Sequence, residues 1–256
     1  MVPLAPFSAM AAPPSPQQVT PPSASTSQPP PQQAAPPSTT AGRPVIVLDA
    51  AHGGTDTGAR GETGIVEKDM VLQIARTVRA ELERQGYRVV MSRNDDSNPS
   101  YDERAAMANA YRDAIFISLH IGSTGNPGTA RAFYDQLATP VAPTPVAAAA
   151  NVKSPALTAS GLPQWEQAQQ PYVEASHRVA DLIQAQLAQS FSGSPATATP
   201  AAVRGLRSVA APGVAIEISS VSVPSADSLT AAATPLATAI ARGIAASRAA
   251  GSTGAN

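Results

Sequence analysis

Three short segments of this chain place side chains that could hold a metal ion. They are Ala51-His52-Gly53-Gly54, Glu67-Lys68-Asp69 and Ser118-Leu119-His120. Together they offer two imidazoles and one carboxylate. A catalytic zinc takes that number of protein ligands when it keeps a fourth position open for water. A fourth segment, Val214-Ala215-Ile216-Glu217-Ile218, carries a second carboxylate between apolar neighbours. An unpartnered carboxylate there would be costly, so Glu217 has a role in the site or in an ion pair. The chemistry that this set supports is metal-assisted hydrolysis.

These residues need elements to bring them together. Pro44-Val45-Ile46-Val47-Leu48-Asp49 reads as a strand covered on both faces. It delivers His52 into a glycine-rich loop, where a backbone can approach a ligand closely. A helix is expected over about Glu67 to Gln85, with Met70, Val71, Ile74, Val78 and Leu82 on one face and Gly86 ending it. Glu67 lies in its first turn, where a carboxylate complements the helix dipole. A second strand is expected over Tyr87–Ser92. Ser100 caps the next helix, with Glu103 at the capping-box position. A third buried strand, Ala114–Leu119, delivers His120, and a fourth is expected at Arg131–Tyr134. A helix over Tyr172–Phe191, a short strand around Arg204–Val209, a buried strand Gly213–Ile218 and a final helix Ser225–Ala249, bent or delayed by Pro235, complete the pattern. Strands alternating with helices predict a single α/β domain, with a mostly parallel or mixed twisted sheet and helices on both faces. Functional groups in such sheets gather at the carboxyl ends of strands, where Asp49, His120 and Glu217 fall. Asp49 is a candidate acceptor for orienting a ligand histidine. Arg93 and Arg104 are expected in ion pairs, and His177 on an exposed helix face.

Composition narrows the class. Half of the 26 prolines lie in residues 1–44, and no charged side chain occurs before Arg43. Residues 1–43 have too little bulky apolar surface to offset the entropy of ordering, so a disordered linker or tail is expected there. The domain should then span 44–250, with a long Pro/Ala-rich insertion at 135–171 and a flexible tail at 251–256. A net charge of −1 makes no electrostatic case for nucleic acid. The absence of cysteine removes thiolate nucleophiles, disulfides and cysteine-type zinc sites. No uninterrupted apolar run of about 20 residues predicts a transmembrane helix. Met1–Ala11 lacks the basic and long apolar regions of a signal peptide.

The segment Ile46 to Ala59, with its Asp49-Ala50-Ala51-His52-Gly53-Gly54-Thr55-Asp56-Thr57-Gly58 core, resembles the opening motif of the zinc-dependent N-acetylmuramoyl-L-alanine amidases. The resemblance continues through Gly64, Glu67-Lys68-Asp69, Ser92–Asp96, Glu103-Arg104, Ala108-Asn109 and Phe116–His120, and resumes at Ala215–Ile218. Several motifs in one order make it specific. It departs at Ala51, at Ile121-Gly122 after the second histidine, and at Ser219-Ser220. The resemblance implies zinc held by His52, Glu67 and His120, with Glu217 as the catalytic carboxylate. It also implies cleavage of the amide between N-acetylmuramic acid and L-alanine in peptidoglycan, hence an extracytoplasmic setting and an activator protein as a candidate partner. The alternatives are a member that binds peptidoglycan without cutting it, or a zinc peptidase of related architecture.

Overall fold

The computed structural model describes residues 45–136 and 167–252. The segment 1–43, most of the 135–171 insertion including Trp165, and the end of the tail lie outside the described residues. Six strands form one mixed sheet: β1 (Val45–Ala50), β2 (Arg88–Met91), β3 (Ala114–Gly122), β4 (Ala130–Asp135), β5 (Thr199–Ala201) and β6 (Gly213–Ser219). Their order is β2-β1-β3-β6-β4-β5, antiparallel only where β4 meets β6. The helices are α1 (Glu67–Arg84), α2 (Tyr101–Asn109), α3 (Val173–Ser190), α4 (Ala226–Ala231) and α5 (Ala233–Ser252).

Side chains alternate along a strand, so each strand divides its residues between two faces. Ile46 and Leu48 of β1, Ile115 to Ile121 at alternate positions of β3, and Val214, Ile216 and Ile218 of β6 pack into the large core. α1 and α3 cover that face, and α5 lies against both. The opposite face starts apolar, with Val47 and Phe116 packed beneath Ala105 and Ala108 of α2 and beneath Leu206 and Val209. It turns polar toward the carboxyl ends. There the register aligns Asp49, Ser118, Ala215 and Phe133 in one row and His120, Glu217 and Arg131 in the next. The short α2 leaves those rows uncovered, and that opening makes the cleft described below.

The sequence expectations need four adjustments. β3 runs to Gly122, so His120 lies within the strand, where it pairs in register with Glu217. The strand expected around Arg204–Val209 is a 3-10 turn at Arg204–Leu206, whose Leu206 seals the smaller core. The strand of that region is Thr199–Ala201 at the sheet edge, where Pro200 is tolerated because an edge can lack a donor. The final helix is interrupted after Ala231, in line with the bend or delay expected from Pro235, which falls in the first turn of α5, where its missing N–H breaks no helical bond. α5 also runs to Ser252, two residues into the expected tail. An 18-residue window within residues 226–249 has a mean hydropathy of 1.2, enough for a membrane span by length and composition alone. Leu236, Ile240 and Ile244 are wholly buried in the core, which accounts for that apolarity in a packed helix.

Candidate metal centre

His52 follows β1 with φ 62°, a left-handed conformation that few residues other than glycine adopt. Its surroundings hold it there. Arg104 Nη2 donates to the His52 carbonyl (2.8 Å), and the Asp56 carboxylate bonds to the ring at Nδ1 (2.9 Å). That leaves Nε2 facing Glu67 Oε1 at 3.2 Å. The loop is also stapled to the next elements. Gly54 N donates to Asp96, and Lys68 Nζ donates to both Gly54 O (2.8 Å) and Asp96 Oδ2 (2.7 Å).

Glu67 is placed by reciprocal bonds at the start of α1. No side chain caps this helix; instead Glu67 N donates to Ala59 O (2.9 Å) and Lys68 N to Thr57 O (3.2 Å). The Ala59 amide returns a bond to Glu67 Oε2 (2.7 Å), and the Ile121 amide donates to Oε1 (2.9 Å). The carboxylate is buried, 4% exposed. Burial opposes its ionisation, but bonds from His120, His52 and the Ala59 amide outweigh it and hold the carboxyl well below its ordinary range. Gly58 makes the fit possible, because a Cβ there would come within 2.7 Å of the His52 ring.

His120, on β3, turns Nδ1 to Glu67 Oε1 at 3.1 Å, and its ring meets that of His52 edge-on with centroids 5.2 Å apart. One donor atom from each of His52, Glu67 and His120 lies within 4.8 Å of the others. Two imidazole nitrogens and one carboxylate oxygen converging in this way fit a zinc-type ion. Glu217 stands beside them on β6, half-buried, with burial raising its pKa against the pull of His120. All four proposed site residues therefore share one end of the sheet. His52, His120 and Glu217 open into a cleft of about 500 Å³ whose far walls are the Asn98–Tyr101 turn and the segment 201–206.

Support for the cluster departs from expectation in two ways. Asp49 bonds to neither imidazole: one carboxylate oxygen pairs with Arg104 Nη1 and the other accepts from Ser118 Oγ (2.7 Å). It acts at one remove, through the arginine that holds the His52 carbonyl. Asp56 is the carboxylate that orients the His52 ring, and sequence reasoning missed that role. Its signal was an acid four residues after the histidine within a glycine loop. Arg104 forms the expected ion pair. Arg93 instead donates to carbonyl oxygens of Ala50 (2.8 Å), Ala51 (2.9 Å), Lys68 (2.7 Å) and Asp95 (2.8 Å), and so fixes the end of β1. His177 lies on α3, away from the site, paired with Asp181 at 3.0 Å and stacked on Tyr134.

A family model described as N-acetylmuramoyl-L-alanine amidase matches residues 46–246. The amidase AmiC of Neisseria meningitidis serogroup B is 44% identical over 85 residues, 33% of this chain and 20% of that protein. AmiA of Escherichia coli K12 is 41% identical over 92 residues, 36% of this chain and 32% of that protein. The matched stretches thus span less than two thirds of the length of either relative. Among solved structures, AmiC2 of Nostoc punctiforme shares the fold at a TM-score of 0.56 and 23% identity, over 79% of this chain and 96% of that one. CwlD of Clostridioides difficile, solved in complex with the GerS lipoprotein, does so at 0.56 and 20%, over 81% and 99%.

Proposed function

The chain belongs to the N-acetylmuramoyl-L-alanine amidase family, and from that premise we propose that it hydrolyses, with zinc, the amide joining N-acetylmuramic acid to L-alanine in peptidoglycan. The observation that carries this reading is the convergence of His52 Nε2, Glu67 Oε1 and His120 Nδ1 beside Glu217 at the mouth of one cleft. His52, Glu67 and His120 would hold the ion. When bound there, zinc supplies a Lewis acid that polarises the scissile carbonyl and lowers the pKa of water to about 7.

The protein's own groups do the rest. Asp56 on Nδ1 fixes the His52 ring so that Nε2 faces inward. Glu67 is held ionised by two backbone amides and both imidazoles. Glu217, whose burial favours its protonated form more than water would, takes the proton of the attacking water and passes it to the departing L-alanine nitrogen. The displacement needs no covalent intermediate. The residues 44–250 form the catalytic unit in this reading. Its substrate sets an extracytoplasmic site of action, and an activator protein is a candidate partner, since CwlD was solved bound to a lipoprotein.

The test pairs zinc stoichiometry with release of stem peptides from intact sacculi, for the parent protein and Glu217→Ala. One zinc in both, with kcat lowered by about 10²–10⁴-fold in the variant, supports the hydrolase and the role of Glu217. Bound zinc without release by the parent favours a peptidoglycan-binding protein or a requirement for the activator. Folded protein that takes up no zinc in metal-replete buffer overturns the metal centre.

A further inference from the structure

The cleft extends beyond the metal-ligand cluster along the open face of the sheet, and its two walls meet at Tyr101 and Arg204. Tyr101 is 48% exposed, the one large hydrophobic side chain exposed among the described residues. Arg204 Cζ lies 5.2 Å from the centroid of its ring. Arg204 is exposed, and among the described residues no carboxylate oxygen lies within 4.0 Å of its guanidinium nitrogens. The other arginine of this cleft, Arg104, is matched to Asp49 in the floor. A guanidinium over an aromatic face is held by the ring quadrupole while its in-plane donors stay available for a bidentate acceptor.

Both partners rest on fixed backbone. Tyr101 is the first residue of α2, and the reciprocal bonds of the Ser100–Glu103 capping box set that helix start. Arg204 opens a 3-10 turn whose Leu206 is wholly buried. The amide just before the turn, Val203 N, donates to Asp135 Oδ1 (2.7 Å). A Cβ at Gly205 would lie 3.5 Å from two atoms of the Tyr101 ring, so the turn runs directly along it. A recognition pair on rigid elements loses little entropy when it takes a ligand.

The amidase reading, on which this inference rests, says which end of the substrate carries charge. The lactyl carboxyl of muramic acid is consumed in the scissile amide, so the glycan side is neutral there. The peptide side keeps free carboxylates. On the other side of Glu217 lies a smaller cleft of about 270 Å³, with uncharged Thr124, Asn126 and Thr129; the charge of its Arg131 is opposed by Glu217 itself. We infer that Tyr101 and Arg204 form the subsite for a free carboxylate of the stem peptide. The peptide then lies along the sheet face toward α2, with the sugar on the side of Thr124 and Asn126.

The experiment uses zinc-loaded protein and two soluble substrates, an N-acetylmuramoyl-L-alanyl peptide with free carboxylates and the same compound as its carboxamides. The parent should favour the acid, and Arg204→Gln should raise KM for the acid by about 10–100-fold, the scale of a lost charge-assisted hydrogen bond. KM for the carboxamide and kcat for both should stay unchanged, and Arg204→Lys should recover part of the discrimination. Equal loss on both substrates, or a parent that does not discriminate, overturns the subsite. Equilibrium binding of the free peptide and its carboxamide separates this inference from the amidase reading. If the parent cleaves neither compound but binds the acid more tightly, and loses that preference in Arg204→Gln, the amidase reading fails and the carboxylate subsite stands. Absence of both cleavage and discrimination in binding overturns both.

Discussion

The Glu217 carboxyl group occupies the space that a side chain on Gly122 would need: a Cβ at Gly122 would lie 2.9 Å from both Cδ and Oε1 of Glu217. The two residues lie on adjacent parallel strands, where Glu217 is in register with His120 and Gly122 with Ser219. The atoms in the way are the far end of a flexible side chain, so Gly122→Ala displaces the carboxyl rather than the backbone. The strand interior itself gains from the change, by up to about 1 kcal/mol. The variant should therefore melt at or above the parent temperature while its kcat on muropeptides falls by about tenfold or more. Full activity would mean that the carboxyl works from another position.

Arg104 and Asp49 form an ion pair with side chains only 5% and 6% exposed. Removing either partner leaves a buried charge without its complement, so Arg104→Ala should cost about 3–5 kcal/mol in chemical denaturation. The double variant with Asp49→Ala should cost clearly less than the sum of the two single changes. Arg104 also holds the carbonyls of Ala50 (3.0 Å) and His52 (2.8 Å). Zinc affinity in Arg104→Ala should accordingly fall by about 10–100-fold, read by competition with a chromophoric chelator. Additive stabilities would show that the pair contributes nothing beyond its separate contacts.

The parts of this architecture that depend on local pattern were legible from sequence. The apolar runs of β1, β3 and β6, the helical spacing of α1 and the Ser100–Glu103 capping box all appear where they were expected. His52, Glu67 and His120 stand out because few side-chain types bind metals and each follows or opens an element expected from the sequence. What was not legible depends on long-range pairing. The seating of β4 between β6 and β5, antiparallel to the first and parallel to the second, is set by which edges find each other, not by the residues of β4 alone. The same holds for Tyr101 and Arg204, which are 103 residues apart in sequence and meet only because the 203–211 segment folds under the sheet face that α2 also covers. Near the end of β1, Asp49 reads as an acceptor for histidine. The sequence holds no sign that Arg104 reaches it first.

Gly58 takes φ +61°, and a Cβ there would press on both His52 and the carboxyl group of Glu67. Gly58→Ala combines backbone strain of about 1–2 kcal/mol with displacement of two ligand side chains. We expect zinc stoichiometry well below one under conditions that saturate the parent. Gly64→Ala is the comparison, since its φ is also positive, at +86°, but nothing lies within 4 Å of a Cβ there. Gly64→Ala should lose a similar amount of stability and keep its zinc. Equal zinc retention by both variants would show that crowding at Gly58 does not govern the site.

Asp135 ends β4 with no exposure, accepts from Val203 N through Oδ1, and has no hydrogen-bond partner for Oδ2 among the described residues. Burial pushes its pKa above the ordinary value, and the bond from the Val203 amide and the nearby Arg207 only partly offset this. In the unfolded chain the same carboxyl ionises near its ordinary value of about 3.9. As pH rises past that value the unfolded state loses its proton first, so stability falls until the folded-state pKa is passed and is level above it. Asp135→Asn keeps an acceptor for Val203 N and carries no charge. The variant should therefore unfold at higher denaturant than the parent at pH 7, with the advantage shrinking as pH is lowered toward 4. A parent that is the more stable at pH 7 would mean that attraction to Arg207 outweighs the cost of burying the Asp135 charge.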